Sequence, residues 1–434
     1  MIFISSISDY YIGLFICNSN SKKIKATALK LSLFINIGIL LIFKYFNFFI
    51  ENFILVLDTL EINYNITLLN IILPIGISFY TFKTLSYSID IYNGKIKATK
   101  DYLAFFSFVA FFPQLVAGPI ERAKILLPQF LNERKFEYQF AVSGCRLILF
   151  GLFKKMVVAD NLAVLVDTVY LNPSDFLGFP SLLATIFFAF QIYCDFSGYS
   201  DIAIGLSRLL GFRLMTNFKT PYFSKNLTSF WRNWHISLSS WFKDYVYIQL
   251  GGKNKSKKKT YLNILITFLL SGFWHGANWT FIIWGSVHGF GLILEKMFFL
   301  VKRKQIKNSF TINSLKIFVT FSFICLSWIF FRSKTISDAY LILTNLFSDI
   351  FYYSDYQIMS LKFRGLGLKL SDLVFCVFLI FGLLIGELCS KSIRIIGIFN
   401  SNKPFRLFFY YLTIVFILVW GSENSSNNFI YFQF

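Results

Sequence analysis

Histidine is scarce in this 434-residue chain, which has only three copies of it. His275 and His288 occur in one apolar run, LLSGFWHGANWTFIIWGSVHG, and His235 occurs earlier, in SFWRNWHISLSSWF. A neutral imidazole takes a proton from a hydroxyl and returns it to a leaving group at a pH near ~7. The run therefore makes His275 a candidate general base, with a buried structural histidine as the open alternative.

The residues around His275 have types and spacings that suit a pocket. Gly272 and Gly276 have the small-xxx-small spacing that lets another helix or a ligand approach the backbone closely. Trp274 and Trp279 have side chains large enough to form its walls. A metal site is not favoured, because no two histidines have i, i+4 spacing and no Cys or Glu joins them. The candidate substrate-binding residues are Trp234, Trp274 and Asn278.

The segment WRNWHISLSSWFKDY, residues 231–245, predicts one strongly amphipathic helix. His235 lies at the edge of its aromatic stripe, and the opposite face is too polar to lie in lipid. Such a helix lies at the membrane interface or lines a water-filled cavity. On this segment alone, an interfacial anchor with a structural histidine is favoured over a functional site.

Two further segments carry polar residues within apolar surroundings. The segment QIYCDFSGYSDIAIG contains Asp195 and Asp201. A carboxylate inside a membrane span costs free energy unless it is paired, and Arg208 or Arg232 could pair with one of the two. Structural pairing is favoured there over a proton relay. In FFPQLVAGPIERAKILLPQF, residues 111–130, Pro113 and Pro119 break helix and predict a re-entrant or surface loop.

The elements that position these residues must be membrane helices. The chain is 56% hydrophobic and 15% charged, with a mean hydropathy of +0.60. Spanning ~30 Å of hydrocarbon takes about 20 mostly apolar residues. Only a helix forms all of its backbone hydrogen bonds within such a segment. We predict an all-α polytopic protein, one membrane domain over residues 1–434, with a bend near Pro74–Gly76. The roughly ten candidate spans lie near residues 29–57, 66–90, 102–120, 140–170, 181–211, 260–279, 280–301, 314–332, 371–390 and 405–421.

The net charge of +20 reflects topology and anionic lipid, not nucleic-acid binding. The basic residues cluster in short loops beside apolar runs, such as Lys253–Lys259 and Lys302–Lys307, and such loops stay cytoplasmic. Residues 260–301 between these loops then form a helical hairpin that turns at Gly276–Asn278. At ~1.5 Å per residue, His275 lies about 20 Å from the cytoplasmic face, at membrane depth.

Five blocks, in this order, resemble the membrane-bound O-acyltransferase family: LPIGISFYTFKTLSYSIDIY, FFPQLVAGPIERAKILLPQ, CDFSGYSDIAIG, FWRNWHISLSSWFKDYVYIQLGG and SGFWHGANWTFIIWGSVHG. The resemblance covers roughly residues 8 to 335. It is strongest to the bacterial branch of alginate and peptidoglycan O-acetyltransferase membrane subunits, and the D-alanyl transfer protein of teichoic acid modification is a relative. Members of that branch usually begin with one or two more apolar segments before the position of Ser8, so the N-terminus is expected here to be shorter than usual for the family, through an alternative start, a truncated gene or a shortened natural variant.

This resemblance implies a ring of tilted helices around a thinned centre, with a tunnel that joins the two membrane faces. It implies that His275 is the catalytic histidine and that His235 is a second required polar residue. It further implies a cytoplasmic thioester as the acyl donor, acetyl-CoA or a carrier-protein thioester, and no tightly bound cofactor is expected. The acceptor hydroxyl approaches from the outer side.

Several functional alternatives stay open at this level. We favour acetyl transfer in the cytoplasmic (inner) membrane, with an extracytoplasmic partner protein that accepts the acyl group and passes it to an envelope polysaccharide. D-alanyl transfer to teichoic acid and an inactive scaffold of an envelope complex are the alternatives. A transporter is disfavoured, because the chain shows no internal repeat. The Lys253–Lys259 loop could contact donor phosphates, but a topology signal with attraction to anionic lipid is the favoured interpretation.

Overall fold

The computed structural model describes residues 1–71, 73–74, 76–115, 118–253, 256–301, 309–348, 369–390, 392, 397, 401–421 and 429, with the backbone alone for 299–301. These ranges are helical with irregular connections and contain no strand. The predicted all-α class is therefore confirmed. The basic stretch Lys302–Lys307, used above to predict topology, lies outside the described residues.

The helices have the following bounds. They are α1 (Ile2–Asn18), α2 (Lys22–Leu40), α3 (Phe46–Thr59), α4 (Ile77–Tyr92), α5 (Tyr102–Val109), α6 (Ala123–Leu131), α7 (Tyr138–Leu152), α8 (Asp160–Leu171), α9 (Phe179–Leu209), α10 (Leu227–Asn233), α11 (Ile236–Phe242), α12 (Lys257–His275), α13 (Trp279–Val301), α14 (Phe310–Arg332), α15 (Ile336–Asn345), α16 (Leu370–Cys389) and α17 (Lys403–Trp420). Short π-helical segments occupy Leu41–Tyr45, between α2 and α3, Phe153–Ala159, between α7 and α8, and Lys243–Tyr247, after α11.

Six helical segments of the described residues are long and apolar enough to cross a membrane. They are Lys22–Thr59, Phe179–Leu209, Trp279–Phe298, Phe310–Arg332, Leu370–Cys389 and Lys403–Trp420. A multi-pass membrane protein is thereby confirmed, and the number of about ten spans stays a prediction. The predicted span over residues 66–90 has the wrong extent. The described residues of 66–74 are not helical, and α4 begins only at Ile77. Gly76 lies there in the left-handed region at φ 73°, at the predicted bend.

The predicted single helix over residues 231–245 is wrong. The chain is helical in α10, extended at Trp234 and left-handed at His235, and it becomes helical again in α11. Two backbone hydrogen bonds to residues 217–219 hold this break, one from Lys219 N to Asn233 O and one from Ile236 N to Asn217 O. Periodicity could not reveal the break, because both halves keep an apolar face toward the core.

The acidic residues of α9 are paired, as favoured above, but their partners are lysines. Lys154 forms an ion pair with Asp201, and Lys155 forms one with Asp195 at 2.8 Å and another with Asp160 at 2.8 Å. The candidate partners Arg208 and Arg232 are not in these pairs. Both lysines lie in the π-helical segment that interrupts the predicted span 140–170.

Three clusters of buried apolar side chains form the interior. One joins α1, α2, α4, α5 and α6. A larger one joins α8 and α9 to α10, α13, α14, α15 and α16. A third and smaller one contains residues of α4, the segment before α6, α11 and the end of α12, including Ile120, Trp241 and Trp274. The segment 111–122 contributes buried Gln114 and Glu121, which favours the re-entrant interpretation over a surface loop.

Candidate active site

The hairpin of α12 and α13 places His275 at the end of a helix. The turn lies at residues 276–278, as predicted. The two helices meet closely through Gly272 and Gly285, since a Cβ on Gly272 would lie 2.3 Å from Phe281 O and one on Gly285 would lie 2.4 Å from Phe268 O. With 19 residues at ~1.5 Å each, α12 is about 28 Å long, so His275 lies far from the lysines that begin the helix.

Aromatic rings connect His235 to His275. The Trp274 ring lies near both, with its centroid 6.3 Å from that of His235 and 4.9 Å from that of His275. On its other sides His275 contacts the rings of Trp284 at 5.0 Å and Phe331 at 5.1 Å. Both imidazoles are buried, with exposed fractions of 1% for His235 and 4% for His275. The fold thus brings together two histidines that lie in separate sequence blocks.

The backbone of His235 has an unusual conformation. Its φ of 42° and ψ of 54° lie in the left-handed region, which costs a non-glycine residue on the order of 1–3 kcal/mol. Such strain persists only when the surroundings fix it, and it is common at functional sites. Here the two backbone hydrogen bonds to residues 217–219 and the buried ring fix it together.

Asn217 determines which ring nitrogen of His235 carries the proton. Its Oδ1 accepts hydrogen bonds from the backbone N–H of Ser237 at 3.3 Å and from Ser237 Oγ at 2.9 Å. The same oxygen lies 3.1 Å from His235 Nδ1, so Nδ1 must be the donor. In the neutral ring, Nε2 is then an acceptor. Nε2 is buried and has no hydrogen-bond partner among the described residues.

His288 differs from the other two histidines because both its nitrogens are used within the core. Trp231 Nε1, which can only donate, lies 3.3 Å from Nδ1, and Ser327 Oγ lies 3.0 Å from Nε2. The ring therefore links α10, α13 and α14. This is a structural role.

A lysine and a tyrosine bind the last carbonyls of α12, which have no partner within the helix. Lys44 Nζ donates to Trp274 O at 2.8 Å and to His275 O at 2.9 Å. Tyr45 Oη donates to Phe273 O at 2.7 Å. Gly276 is extended, so no left-handed residue closes this helix end. The π-helical segment Leu41–Tyr45 therefore fixes the backbone that carries His275.

A cavity of about 570 Å³ opens where the hairpin begins; we call it the lysine-side cavity. Its lining residues are Asn226, Thr228, Ser229, Arg232, Lys253, Lys257, Thr260, Tyr261, Glu295 and Lys296. Four are cations, and the one carboxylate, Glu295, already accepts from the backbone and hydroxyl of Thr228 at 3.2 and 2.6 Å. The predicted basic loop thus contributes Lys253 and Lys257 to a cationic cavity.

A second cavity, of about 580 Å³, lies at the opposite end of the hairpin; we call it the far-side cavity. Its lining residues are Phe43, Lys44, Leu73, Asp167, Leu171, Gly276, Ala277, Asn278, Phe281, Arg332, Ser333 and Lys334. Gly276 directly follows His275, and Arg232 of the lysine-side cavity lies three residues before His235 in the chain. The two cavities therefore lie at opposite ends of the hairpin, and each is lined by a residue that is close in sequence to one of the two histidines.

The three predicted substrate-binding residues have different surroundings. Trp274 lies near both histidines. Asn278 lines the far-side cavity, where its Nδ2 donates to Lys334 O at 2.7 Å and its Oδ1 accepts from Thr280 N at 3.0 Å. Trp234 is 3% exposed and packs against Phe230 and Trp328, and it lines neither of the two cavities.

Several residues of this site were missed in the sequence. Lys44 carried a usable signal, because a lysine inside an apolar span marks a functional candidate. Asn217, Arg332 and Ser333 carried none, because an isolated polar residue at the end of a helix or in a loop is common. Their roles come from distant parts of the chain that meet only in the fold.

The chain matches the model of the membrane-bound O-acyltransferase family over residues 1–333. It is 39% identical to the probable alginate O-acetylase AlgI of Pseudomonas putida over 368 residues, 84% of this chain and 73% of that protein. It is 35% identical to the peptidoglycan O-acetyltransferase of Helicobacter pylori over 362 residues, 77% of this chain and 67% of that protein. The teichoic acid D-alanyltransferase of Streptococcus thermophilus is 29% identical over 316 residues, 65% of this chain and 75% of that protein.

The matched range includes all three histidines, both cavities except Lys334, and the helices that connect them. The buried histidine pair at the end of the hairpin lies in the sequence blocks that resemble this family. The chain belongs to the membrane-bound O-acyltransferase family and is an O-acyltransferase.

Proposed function

We propose that this protein moves an acyl group, acetyl in our preferred version, from a cytoplasmic thioester donor to a hydroxyl on the outer side of the cytoplasmic membrane. The observation that carries the proposal is a pair of buried histidines close to the turn of a hairpin that has a cationic cavity at each of its ends. Cavities at both ends of the hairpin suit an enzyme that joins substrates from two membrane faces. Loops rich in Lys stay cytoplasmic, which assigns the lysine-side cavity to the donor.

In the proposed mechanism, His275 is the general base. Its imidazole takes the proton of the acceptor hydroxyl while the hydroxyl oxygen attacks the thioester carbonyl. The C–S bond of the tetrahedral intermediate then breaks, and the imidazolium returns the proton to the departing thiol. General-base catalysis contributes roughly 10²–10⁴-fold, and the positioning of two substrates contributes more.

His235 orients a substrate in this mechanism. Its Nε2 is an acceptor without a protein partner in the described part of the chain, so it suits a hydrogen bond from the acceptor hydroxyl or from an amide of the donor. The strained backbone and Asn217 fix the direction of that lone pair. Trp274, near both rings, gives the reacting groups an apolar wall.

The donor is best accounted for as acetyl-CoA or an acyl thioester on a carrier protein, with no tightly bound cofactor. Both forms carry phosphate, and Arg232, Lys253, Lys257 and Lys296 give the lysine-side cavity four cationic groups for it. For the Lys253–Lys259 loop we therefore favour contact with donor phosphates over the topology signal and lipid attraction that the sequence alone favoured.

The acceptor is a hydroxyl of an envelope polysaccharide, or a hydroxyl of an extracytoplasmic partner protein that passes the acyl group on. The names of the relatives support an envelope polymer, since they include alginate, peptidoglycan and teichoic acid. D-alanyl transfer is the second candidate, supported by the 29% identity to the D-alanyltransferase. An inactive scaffold would keep the fold and have no need of His275.

Esters released from the cell envelope by mild base test the proposal. Mass spectrometry identifies the acids from cells with the protein, with His275→Ala, and without the protein. Leu270→Ala is the matched control, since this half-exposed side chain lies on the same helix, α12. We expect acetate with the unchanged protein and the control only. D-alanine would select the second candidate, and equal ester with His275→Ala at equal membrane levels would refute the catalytic assignment.

A further inference from the structure

We propose that Glu121 is a positioning residue, which holds the chain beside His235 and so fixes the direction of the acceptor lone pair on Nε2. The chemical step that this orientation serves rests on the proposed function, whereas the orientation itself can be measured without any acyl transfer. The connection runs through Met215 and Asn217, which lie two residues apart in the chain.

The carboxylate of Glu121 is buried and binds the main chain of a distant segment. Glu121 is 0% exposed, and its Oε1 accepts a hydrogen bond from the backbone N–H of Met215. A buried carboxylate costs free energy unless charge and hydrogen bonds compensate it, and Arg122 and Lys83 supply positive charge near this one. Hydrogen bonds to an ionised acceptor are among the stronger ones in proteins. The bond therefore ties the segment 111–122 firmly to the chain that follows α9.

The segment that Glu121 binds cannot hold itself in place. Residues 212–218 have no regular secondary structure, so their backbone groups need partners from elsewhere. Glu121 binds Met215, and Gln129 binds Arg213 twice, with Oε1 accepting from the backbone N–H at 2.8 Å and Nε2 donating to the carbonyl at 3.0 Å. Of these two side chains, Glu121 binds the position closer in the chain to His235.

Asn217 passes this restraint on to His235. Its Oδ1 lies 3.1 Å from His235 Nδ1, and its backbone carbonyl accepts from Ile236 N at 2.9 Å. On the other side, its Nδ2 donates to Ser200 Oγ of α9 at 3.1 Å. Two residues of extended chain span at most ~7 Å, so a displacement at Met215 reaches Asn217 with little loss. Removal of the carboxylate should therefore weaken the hydrogen bond at Nδ1.

The hydrogen bond at Nδ1 matters because it selects the tautomer of the ring. With Nδ1 donating to Asn217, the proton is on Nδ1 and Nε2 is an acceptor. When that bond weakens, the second tautomer is populated, and its Nε2 carries the proton. Such a ring cannot accept a hydrogen bond from the acceptor hydroxyl or from an amide of the donor. The loss of the Glu121 bond should thus lower turnover through His235.

The tautomer of His235 is the first test, read by nitrogen-15 NMR of histidine-labelled full-length protein in lipid nanodiscs without donor or acceptor. The chain has three histidines, and the spectrum of His235→Asn identifies the signals of this one. We expect the Nδ1–H form in the unchanged protein and a mixture of both tautomers in Glu121→Met. Glu121→Gln should keep the Nδ1–H form, because its amide oxygen can still accept from Met215.

Gln129→Met is the matched control for Glu121→Met. It removes two hydrogen bonds from the same segment, but at Arg213, two residues farther from Asn217 in the chain. It should leave the tautomer of His235 unchanged. A general loosening of the segment would instead move both variants alike, and this result would argue against a specific role of Glu121.

The second test is kcat at saturating donor and acceptor, measured per folded molecule. A misplacement of ~1 Å lowers turnover by about 10²-fold, so we expect Glu121→Met to lower kcat at least about tenfold but no further than His235→Asn does. In the His235→Asn background, Glu121→Met should lower kcat by less than about twofold, because residues that act through one another are not additive. Glu121→Gln should keep most of kcat.

If Glu121→Met does not fold, Glu121→Asp takes its place, since it keeps the charge but withdraws the acceptor by one methylene group. It should show the same change of tautomer and a smaller loss of kcat. An unchanged tautomer in the folded variants would overturn the inference. An equal loss of kcat from Glu121→Met with and without His235 would overturn it too, because the carboxylate would then act on another group. A changed tautomer in a protein that transfers no acyl group would sustain the positioning of His235 and refute the proposed function.

Discussion

Replacement of Lys44 by methionine tests whether the end of α12 must be held in place for His275 to act. Methionine keeps most of the length and the apolar stem of lysine but donates no hydrogen bond. The change removes the bonds of 2.8 and 2.9 Å to the carbonyls of Trp274 and His275. Tyr45→Phe is the milder companion, because it removes the single bond of 2.7 Å to Phe273.

The structure sets the expected magnitudes. A hydrogen bond from a charged donor contributes about 1.5–3 kcal/mol and a neutral one about 0.5–1.5 kcal/mol. Because one ammonium makes both bonds of Lys44, we expect Lys44→Met to cost about 2–4 kcal/mol and Tyr45→Phe about 1 kcal/mol. A displacement of ~1 Å in a reacting group lowers turnover by about 10²-fold. Lys44→Met should therefore lower kcat by about 10²-fold, and Tyr45→Phe by less than tenfold.

The assay is acyl transfer by protein reconstituted in nanodiscs, at saturating donor and acceptor, beside thermal unfolding of the same samples. Saturation separates kcat from any change in acceptor affinity, since Lys44 also lines the far-side cavity. Lys44→Arg should recover part of kcat, because a guanidinium can donate to both carbonyls. Unchanged kcat in Lys44→Met, or a larger loss in Tyr45→Phe than in Lys44→Met, would refute the reasoning.

Three further predictions concern the histidines and the hairpin. His235→Asn removes Nε2 but keeps a residue type that tolerates the left-handed backbone. We expect the amount of envelope ester to fall at least about tenfold while the level of the protein in the membrane stays unchanged. An unchanged amount of ester would contradict the role assigned to His235. His288→Leu leaves the buried indole N–H of Trp231 without its acceptor, whereas Ser327 Oγ keeps its bond to Ile324 O. We expect a loss of about 1–3 kcal/mol in the free energy of unfolding, measured by thermal or denaturant unfolding, and unchanged stability would argue against a structural histidine. Gly272→Val places a branched side chain where even a Cβ would lie 2.3 Å from Phe281 O. The two helices of the hairpin should then separate, and the amount of the protein in the membrane should fall. Gly382→Val is the matched control, because a Cβ at Gly382 would meet no atom within 4 Å.

The residue pattern correctly predicted the features that depend on local chemistry. Long apolar runs predict membrane helices, because backbone N–H and C=O groups in lipid must form their hydrogen bonds within the segment, and six such helical segments are found among the described residues. The hairpin turn followed from lysines on either side of two apolar runs and from the small polar residues between them. The family also followed from the sequence, because five blocks keep their order along the chain.

The interruptions of helices could not be predicted in the same way. The break at Trp234–His235 depends on hydrogen bonds from residues 217–219, and the interruption at Phe153–Ala159 accompanies ion pairs with α8 and α9. Periodicity reports only which face of a segment is apolar, and both cases keep that pattern on each side of the interruption. The pairing of α9 acids with Lys154 and Lys155, in place of the expected arginines, has the same origin.

By itself, the sequence determined that this is an all-helical membrane protein of one family and that His275 and His235 are its candidate reactive groups. The tertiary structure decided how the three histidines differ. His288 has a partner on each nitrogen, Asn217 leaves Nε2 of His235 as an acceptor, and Lys44 holds the helix end at His275. An imidazole has the same composition in every case, and its chemistry depends on which atoms the fold places within about 3 Å of each nitrogen.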